Sequence, residues 1–90
     1  MDYMVIERFK ESAAPEIYRR LREKGRMMPE GLNYFSSWID HQLKTCLQVM
    51  ETDDFVLLER WIDNWKNLMD FEIVPVRTSA EAVEIISREA

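Results

Sequence analysis

Glu7 and Gln48 are the polar residues of this sequence that are best placed to do chemistry. Each lies in a run of strand-forming residues, where Val5, Phe9 and Met50 are apolar neighbours. A carboxyl group in apolar surroundings has its pKa raised, as a general base near neutral pH requires, and an amide can orient a substrate. The alternative is a structural pair, or an ion pair from Glu7 to an arginine, that fixes the register of a dimer. We favour the structural role.

Other residue types that commonly carry chemistry lack partners. Cys46 is the only cysteine, so it cannot form an internal disulfide, and no neighbouring base would ionise its thiol. We expect it to be a small apolar filler. His41, the only histidine, falls in a connection between strands, whereas a haem site would need a histidine on a helix. The sequence has neither metal-ligand spacing nor a Gly-rich phosphate loop, so we expect no metal and no cofactor.

Hydrophobic periodicity places these residues on strands and helices. Strand-forming runs cover residues 2–9, 31–39, 44–52 and 70–77. Helices are expected over residues 15–28, after a capping Asp53 or Asp54 with an apolar stripe from Leu58 to Met69, and after a capping box of Thr78 and Glu81. This β-α-β-β-α-β order with a C-terminal helix predicts a single ferredoxin-like α+β domain over residues 1–90. Its four-stranded antiparallel sheet has the order 4-1-3-2, with both internal helices on one face.

Side-chain alternation divides the predicted sheet into two faces. We assign the parity that is apolar at its centre to the helix-covered core: Met4, Ile6, Leu47, Val49, Phe71 and Ile73. The opposite, mixed parity carries Val5, Glu7, Phe9, Cys46, Gln48, Met50, Glu72, Val74 and Val76, with Tyr34, Ser36 and Trp38 of the second strand. An exposed patch of this size usually marks an interface, so we expect a second chain to cover it in a two-fold homodimer.

A small ligand is the alternative occupant of the mixed face. The residues expected to bind it are Glu7, Tyr34, Trp38, Cys46, Gln48 and Glu72, with Glu7 as the best catalytic candidate. Trp38 suits a pocket wall and a dimer contact equally well. Trp61 and Trp65 lie on the apolar stripe of a helix and are expected to pack in the core.

The charge balance argues against some partners. Lys and Arg number 12 against 17 Asp and Glu, which gives a net charge of -5. We therefore interpret the basic cluster at residues 19–26 as a solvated helix face and expect no nucleic-acid binding. No apolar run approaches the ~20 residues of a membrane helix, and no secretory signal is visible. We expect no membrane contact and a cytoplasmic location.

Several segments carry a resemblance to a known family: YMVIERF, REKGRMMPEGL, CLQVMET, and WIDNW…DFEIVPV with TSAEA. They resemble the domain-of-unknown-function family 3303 of small bacterial proteins, over nearly the whole chain and in the same order. The resemblance implies a dimeric α+β barrel of the ferredoxin-like type. The family has no assigned chemistry, so it supplies no catalytic residues. The wider dimeric-barrel class contains cofactor-free monooxygenases, haem-degrading enzymes and stress-response proteins, and analogy of fold is a weak guide to function.

Three functions are compatible with the sequence. We favour a small cytoplasmic homodimer that binds a small ligand or serves as an accessory protein. The alternative is a cofactor-independent enzyme of the monooxygenase or isomerase type acting on a small apolar substrate, with Glu7 as base and Gln48 as an orienting donor. The third is an interaction protein whose mixed face or basic helix docks a different chain.

Overall fold

The structure is a computed structural model that describes residues 1–89, which form four strands and three helices in the order β-α-β-β-α-β-α. Their bounds are β1 (Asp2–Phe9), α1 (Ala14–Lys24), β2 (Asn33–Ile39), β3 (Thr45–Glu51), α2 (Phe55–Asp63), β4 (Met69–Val76) and α3 (Ser79–Glu89). The order of elements agrees with the order that the sequence predicts.

The four strands form one antiparallel sheet in the order β2-β3-β1-β4, which confirms the ferredoxin-like α+β fold. β4 is an edge strand, as expected because the nitrogen of Pro75 cannot donate to a ladder. β2, at the other edge, has a bulge between Tyr34 and Ser36. The bulge changes the side-chain alternation, so Tyr34 and Ser37 lie on one face while Ser36 and Trp38 lie on the other.

Local sequence signals set the ends of the first two helices. α1 has Pro15 in its first turn and ends at Gly25, whose φ of 65° lies in the left-handed region and whose N–H donates to the Leu21 oxygen at 2.8 Å. Asp54 caps α2 by accepting a hydrogen bond from the Val56 N–H at 3.0 Å. The structure thus selects the second of the two aspartates that the sequence offers as a cap.

α2 is shorter than its apolar stripe. It ends at Asp63, and residues 64–68 form a turn before β4 begins at Met69, so the expectation that the helix extends to Met69 is wrong. The turn keeps a helix-like spacing, because the Trp65 N–H donates to the Ile62 oxygen at 2.9 Å. Trp65 is buried in the core. The spacing of the apolar residues from Leu58 to Met69 therefore reflects continuous packing against the core and not a continuous helix.

α3 begins with the predicted capping box. The Glu81 N–H donates to Thr78 Oγ1 at 3.1 Å, and the Thr78 N–H donates to Glu81 Oε1 at 3.2 Å. No side chain of residues 79–89 is buried, and Val83 and Ile86 are mostly exposed. α3 therefore adds nothing to the core. Among residues 1–89, no helix is both long enough and apolar enough to span a bilayer.

The two faces of the sheet differ in what covers them. α1 and α2 pack on the helix face, which carries Tyr3, Val5, Glu7, Gln48, Met50, Phe71 and Ile73. They contribute Ile17, Leu58 and Trp61 to the core. The opposite, open face carries Met4, Ile6, Leu47, Val49, Ser36, Trp38, Glu72 and Val74.

This arrangement corrects the predicted faces of β1 and β3. Their clean apolar parity lies on the open face and is partly exposed. The parity expected to meet a partner lies beneath the helices, where Val5, Glu7, Gln48 and Met50 are each at most 5% exposed. The prediction for β4 is correct, since Phe71 packs against the core. An apolar parity therefore does not by itself indicate which face of a sheet the helices cover.

Candidate functional site

A cavity of about 170 Å³ lies between the helix face and the elements that cover it. Its apolar walls include Phe9, Ile17, Leu21, Trp61, Trp65 and Met69. Its polar lining includes Glu7, Arg26, Ser37, Cys46 and Gln48. A concave, mostly apolar space with a few convergent polar groups is the usual form of a small-molecule site.

Glu7 and Gln48 form the polar centre of this cavity. In the antiparallel pairing of β1 with β3, Gln48 lies opposite Val5 and Cys46 lies opposite Glu7, so the pair is diagonal across the two strands on one face. Gln48 Nε2 donates to Glu7 Oε1 at 2.7 Å. Glu7 is 4% exposed and Gln48 is 5% exposed. The two side chains do meet, beneath the helices and not on the open face.

Burial raises the pKa of the Glu7 carboxyl above its ordinary value, because the charged form loses its hydration in apolar surroundings. Hydrogen bonds from Gln48 and Cys46, and the positive charge of Arg26, lower the pKa and offset part of this rise. A carboxyl shifted in this direction exchanges its proton closer to neutral pH. The arrangement can bind a polar group of a ligand or, when ionised, accept a proton.

Cys46 has the properties of a packing residue. Burial raises the pKa of its thiol to about 12, and the neighbouring Glu7 carboxyl adds to the rise. A thiol that stays protonated is a poor nucleophile. The side chain is half-buried and its thiol is free. These features agree with the expected filler, which lies opposite Glu7 on the neighbouring strand.

Arg26 ties the segment after α1 to both α2 and β2, a role that sequence reasoning missed. Its backbone oxygen accepts hydrogen bonds from Nε1 of Trp61 at 2.9 Å and of Trp65 at 3.1 Å. Its guanidinium lies over the Tyr34 ring, 4.0 Å from the centroid, and donates to Ser37 Oγ at 3.2 Å. Both indole N–H groups are therefore satisfied within the protein.

Ser37 and Tyr18 also line the cavity and were not singled out from the sequence. The Ser37 side chain reaches the helix face only because of the bulge in β2, and no residue type at that position signals a bulge. Tyr18 lies on the apolar side of α1, where its spacing indicates packing. Its contribution to the cavity can be inferred only after the helix-covered face of the sheet is known.

Four of the six residues predicted to bind a ligand border the cavity: Glu7, Trp38, Cys46 and Gln48. Trp38 does so only at the rim, because its side chain is 70% exposed and lies opposite Leu47 on the open face. Tyr34 is outside the lining and reaches the site through its contact with Arg26 and a hydrogen bond between its hydroxyl and Ser37 Oγ at 2.9 Å.

The expected place of Glu72 in the pocket is corrected by the structure. Glu72 lies opposite Ile6 on the open face, and its carboxylate forms an ion pair with Arg8 at 2.9 Å. The side-chain alternation of β4 explains this, because Phe71 and Ile73 point to the core and leave Glu72 on the other side. Glu72 and Glu7 are therefore separated by the sheet.

The polar groups of the cavity suit hydrogen bonding better than metal ligation. Across residues 1–89, His, Cys, Asp and Glu side chains form no cluster of three or more that would hold a metal ion. The groups gathered here are one carboxyl, one amide, one thiol, one guanidinium and two hydroxyls, those of Ser37 and Tyr18.

Fold and site together define a class of protein: a ferredoxin-like α+β domain with a small, mostly apolar cavity between its sheet and its helices. The chain belongs to the family described as Domain of unknown function (DUF3303), which matches residues 1–90, the whole chain. The resemblance seen in the sequence is thereby confirmed. No curated protein matches the chain.

Similar solved structures include two crystal structures of bacterial proteins. Protein Atu4242 from Agrobacterium tumefaciens is 11% identical, with a TM-score of 0.53 over 88% of this chain and 96% of that one. A protein from Deinococcus radiodurans, named "putative antibiotic biosynthesis monooxygenase", is 12% identical, with a TM-score of 0.48 over 87% and 93% of the two chains. At these identities the first likeness shows the fold alone. The second, with its lower TM-score, supports no conclusion about this chain.

Proposed function

We propose that the protein binds a small, largely apolar molecule in the cavity beneath the helices, with Glu7 and Gln48 as its polar contacts. The observation that carries this proposal is a hydrogen-bonded carboxyl and amide buried at an apolar cavity. Burying such groups costs free energy that apolar side chains would not cost. A ligand that uses their hydrogen-bonding capacity accounts for their position.

The test is a titration of the ¹⁵N-labelled protein with phenol and with toluene, followed by amide NMR shifts. We expect saturable shifts at the cavity-lining residues. Leu21→Trp, which fills the cavity, should abolish them, whereas Leu43→Trp, on the exposed hairpin, should not. The absence of saturable shifts at the lining residues with both compounds would contradict the proposal.

A second candidate function, proton abstraction from a bound substrate, is favoured by one specific observation. Burial raises the pKa of Glu7, and the neighbouring Gln48 amide can orient the substrate. In this candidate the Glu7 carboxylate is the base of a cofactor-independent enzyme of the monooxygenase or isomerase type.

Ring opening of benzisoxazole tests the base directly. The carboxylate takes the C–H proton, the N–O bond breaks, and the hydroxybenzonitrile forms as its phenolate. We expect a rate that rises with pH through the raised pKa of Glu7 and falls at least about tenfold in Glu7→Gln. Glu72→Gln, on the open face, is the matched control and should keep the rate. A rate that is the same in both variants and in the unchanged protein would remove the catalytic role.

We also propose a two-fold homodimer in which the open faces of two chains cover each other. This face combines half-buried aliphatic side chains of β1 and β3 with Trp38, which is 70% exposed, and Val74, which is 36% exposed. Contiguous apolar surface of this kind favours a protein contact, and a two-fold axis lets one surface cover itself.

The proposed setting is the bacterial cytoplasm, where the protein acts as a ligand-binding or accessory module. The free thiol of Cys46 suits a reducing compartment. Fractionation of the native host, with immunodetection of the protein, checks this location; recovery from the periplasm or the medium would contradict it.

A further inference from the structure

The amide of Gln48 has one hydrogen-bonding atom left over. Its Nε2 donates to Glu7, but within the described residues 1–89 its Oε1 has no hydrogen-bond partner although it is buried. A buried carbonyl without a hydrogen-bond partner destabilises the folded protein, because it has lost its bonds to water. Because Gln48 lines the cavity, a molecule bound there can supply the missing donor.

Three other polar groups that line the cavity have partners within the protein. The indole N–H groups of Trp61 and Trp65 donate to the Arg26 oxygen, and the Arg26 guanidinium is held by Ser37 Oγ and the Tyr34 ring. Among the described residues, Gln48 Oε1 thus has an unmet requirement for a hydrogen-bond donor. A ligand with an O–H or N–H group at one end meets it.

The volume of the cavity and the polarity of its walls limit the class of ligand further. The volume of about 170 Å³ is close to that of cavities known to hold one benzene ring, about 150 Å³. A charged molecule would lose its hydration against mostly apolar walls, at a large cost. The walls thus favour a neutral ligand.

We propose that the ligand is a neutral molecule of about the size of one six-membered ring that donates an O–H or N–H hydrogen bond to Gln48 Oε1. This inference rests on the proposed binding function and adds the chemical class of the ligand. The apolar part of the molecule lies against Ile17, Leu21 and the two tryptophans, and its donor points to β3.

The experiment compares phenol with toluene, which has the same ring and no donor, by calorimetry at a pH where phenol is neutral. The quantity measured is the ratio of the two affinities, which we expect to fall about tenfold in Gln48→Met. The exposed Gln42→Met is the matched control and should leave the ratio unchanged. An unchanged ratio in Gln48→Met would overturn the inference while leaving ligand binding intact. Failure of both compounds to bind the unchanged protein would overturn both proposals.

A second measurement does not depend on the folding of the variant. In the unchanged protein, phenol should move the ¹³C resonance of the Gln48 side-chain carbonyl downfield, as expected when its oxygen accepts a hydrogen bond. Toluene should not. Equal shifts with the two compounds, or no shift with phenol at saturation, would overturn the inference.

Discussion

The helix face and the open face of this sheet are both rich in apolar side chains, but only one of them carries a buried polar pair. On the helix face, Val5 and Met50 are fully buried around Glu7 and Gln48. On the open face, the aliphatic side chains of β1 and β3 are partly exposed, and the charged pair of Arg8 and Glu72 stays in solvent. Within one sheet, the strand parity of mixed polarity can therefore be the one that the helices cover, while the uniformly apolar parity stays partly exposed.

The largest expected contrast uses two tryptophans on opposite faces. Trp61→Ala removes a side chain that is 1% exposed, contacts Phe71 edge-to-face and donates to Arg26, and should lower the free energy of unfolding by about 3–5 kcal/mol. Trp38→Ala should change it by less than about 0.5 kcal/mol. Urea unfolding measures both, in a Val49→Asp background that removes the proposed dimer. Equal losses of unfolding free energy in the two variants would contradict the difference in burial between the two faces.

The next contrast tests what covers the open face. Val49→Asp places a charge at its centre and should raise the dissociation constant of the homodimer by at least about 100-fold, because the charge would be desolvated in the interface. Val56→Asp is the matched control, since Val56 is 48% exposed in the first turn of α2, where an acid is favourable. Sedimentation velocity over a range of concentrations measures the assembly. A monomer at every concentration in the unchanged protein would contradict the dimer.

The smallest expected contrast is in the pH dependence of stability. Because the pKa of Glu7 is raised in the folded state, its contribution to the free energy of unfolding is complete below the unfolded value, near 4.5, and is lost as the pH rises through the folded-state pKa. Glu7→Gln should abolish this loss. Glu81→Gln should abolish an opposite trend, because hydrogen bonds from Thr78 lower the pKa of Glu81 and favour folding at higher pH. Urea unfolding across the acidic and neutral range measures both, and a Glu7→Gln protein with an unchanged profile would contradict the assignment.

Much of the fold follows from the sequence, because its signals are local. Asp54, Gly25 and the Thr78–Glu81 capping box act within a few residues of the ends that they set. The proximity of Glu7 and Gln48 also follows, once the strand order places β1 beside β3.

The sequence does not show which side chains of a strand face the helices, because this depends on nonlocal packing. Val5 and Ile6 are equally apolar, and only the position of Ile17 and Trp61 decides which of the two is covered within the protomer. The bulge in β2 is also not predictable from the residue types near it. Because of the bulge, Ser37 lies on the cavity side and Trp38 lies on the open face. The sequence therefore identified the site residues mainly from their positions on neighbouring strands, and it assigned Glu72 to the wrong face of the sheet.

A ¹³C NMR titration of the glutamate side-chain carboxyls shows whether the Glu7 carboxyl lies in a desolvated cavity beneath the helices. The resonance of Glu81, whose pKa is lowered by hydrogen bonds from Thr78, provides an internal reference in the same spectra. We expect a Glu7 midpoint above the ordinary carboxyl value of 4.5. A Glu7 midpoint at or below that value would contradict it.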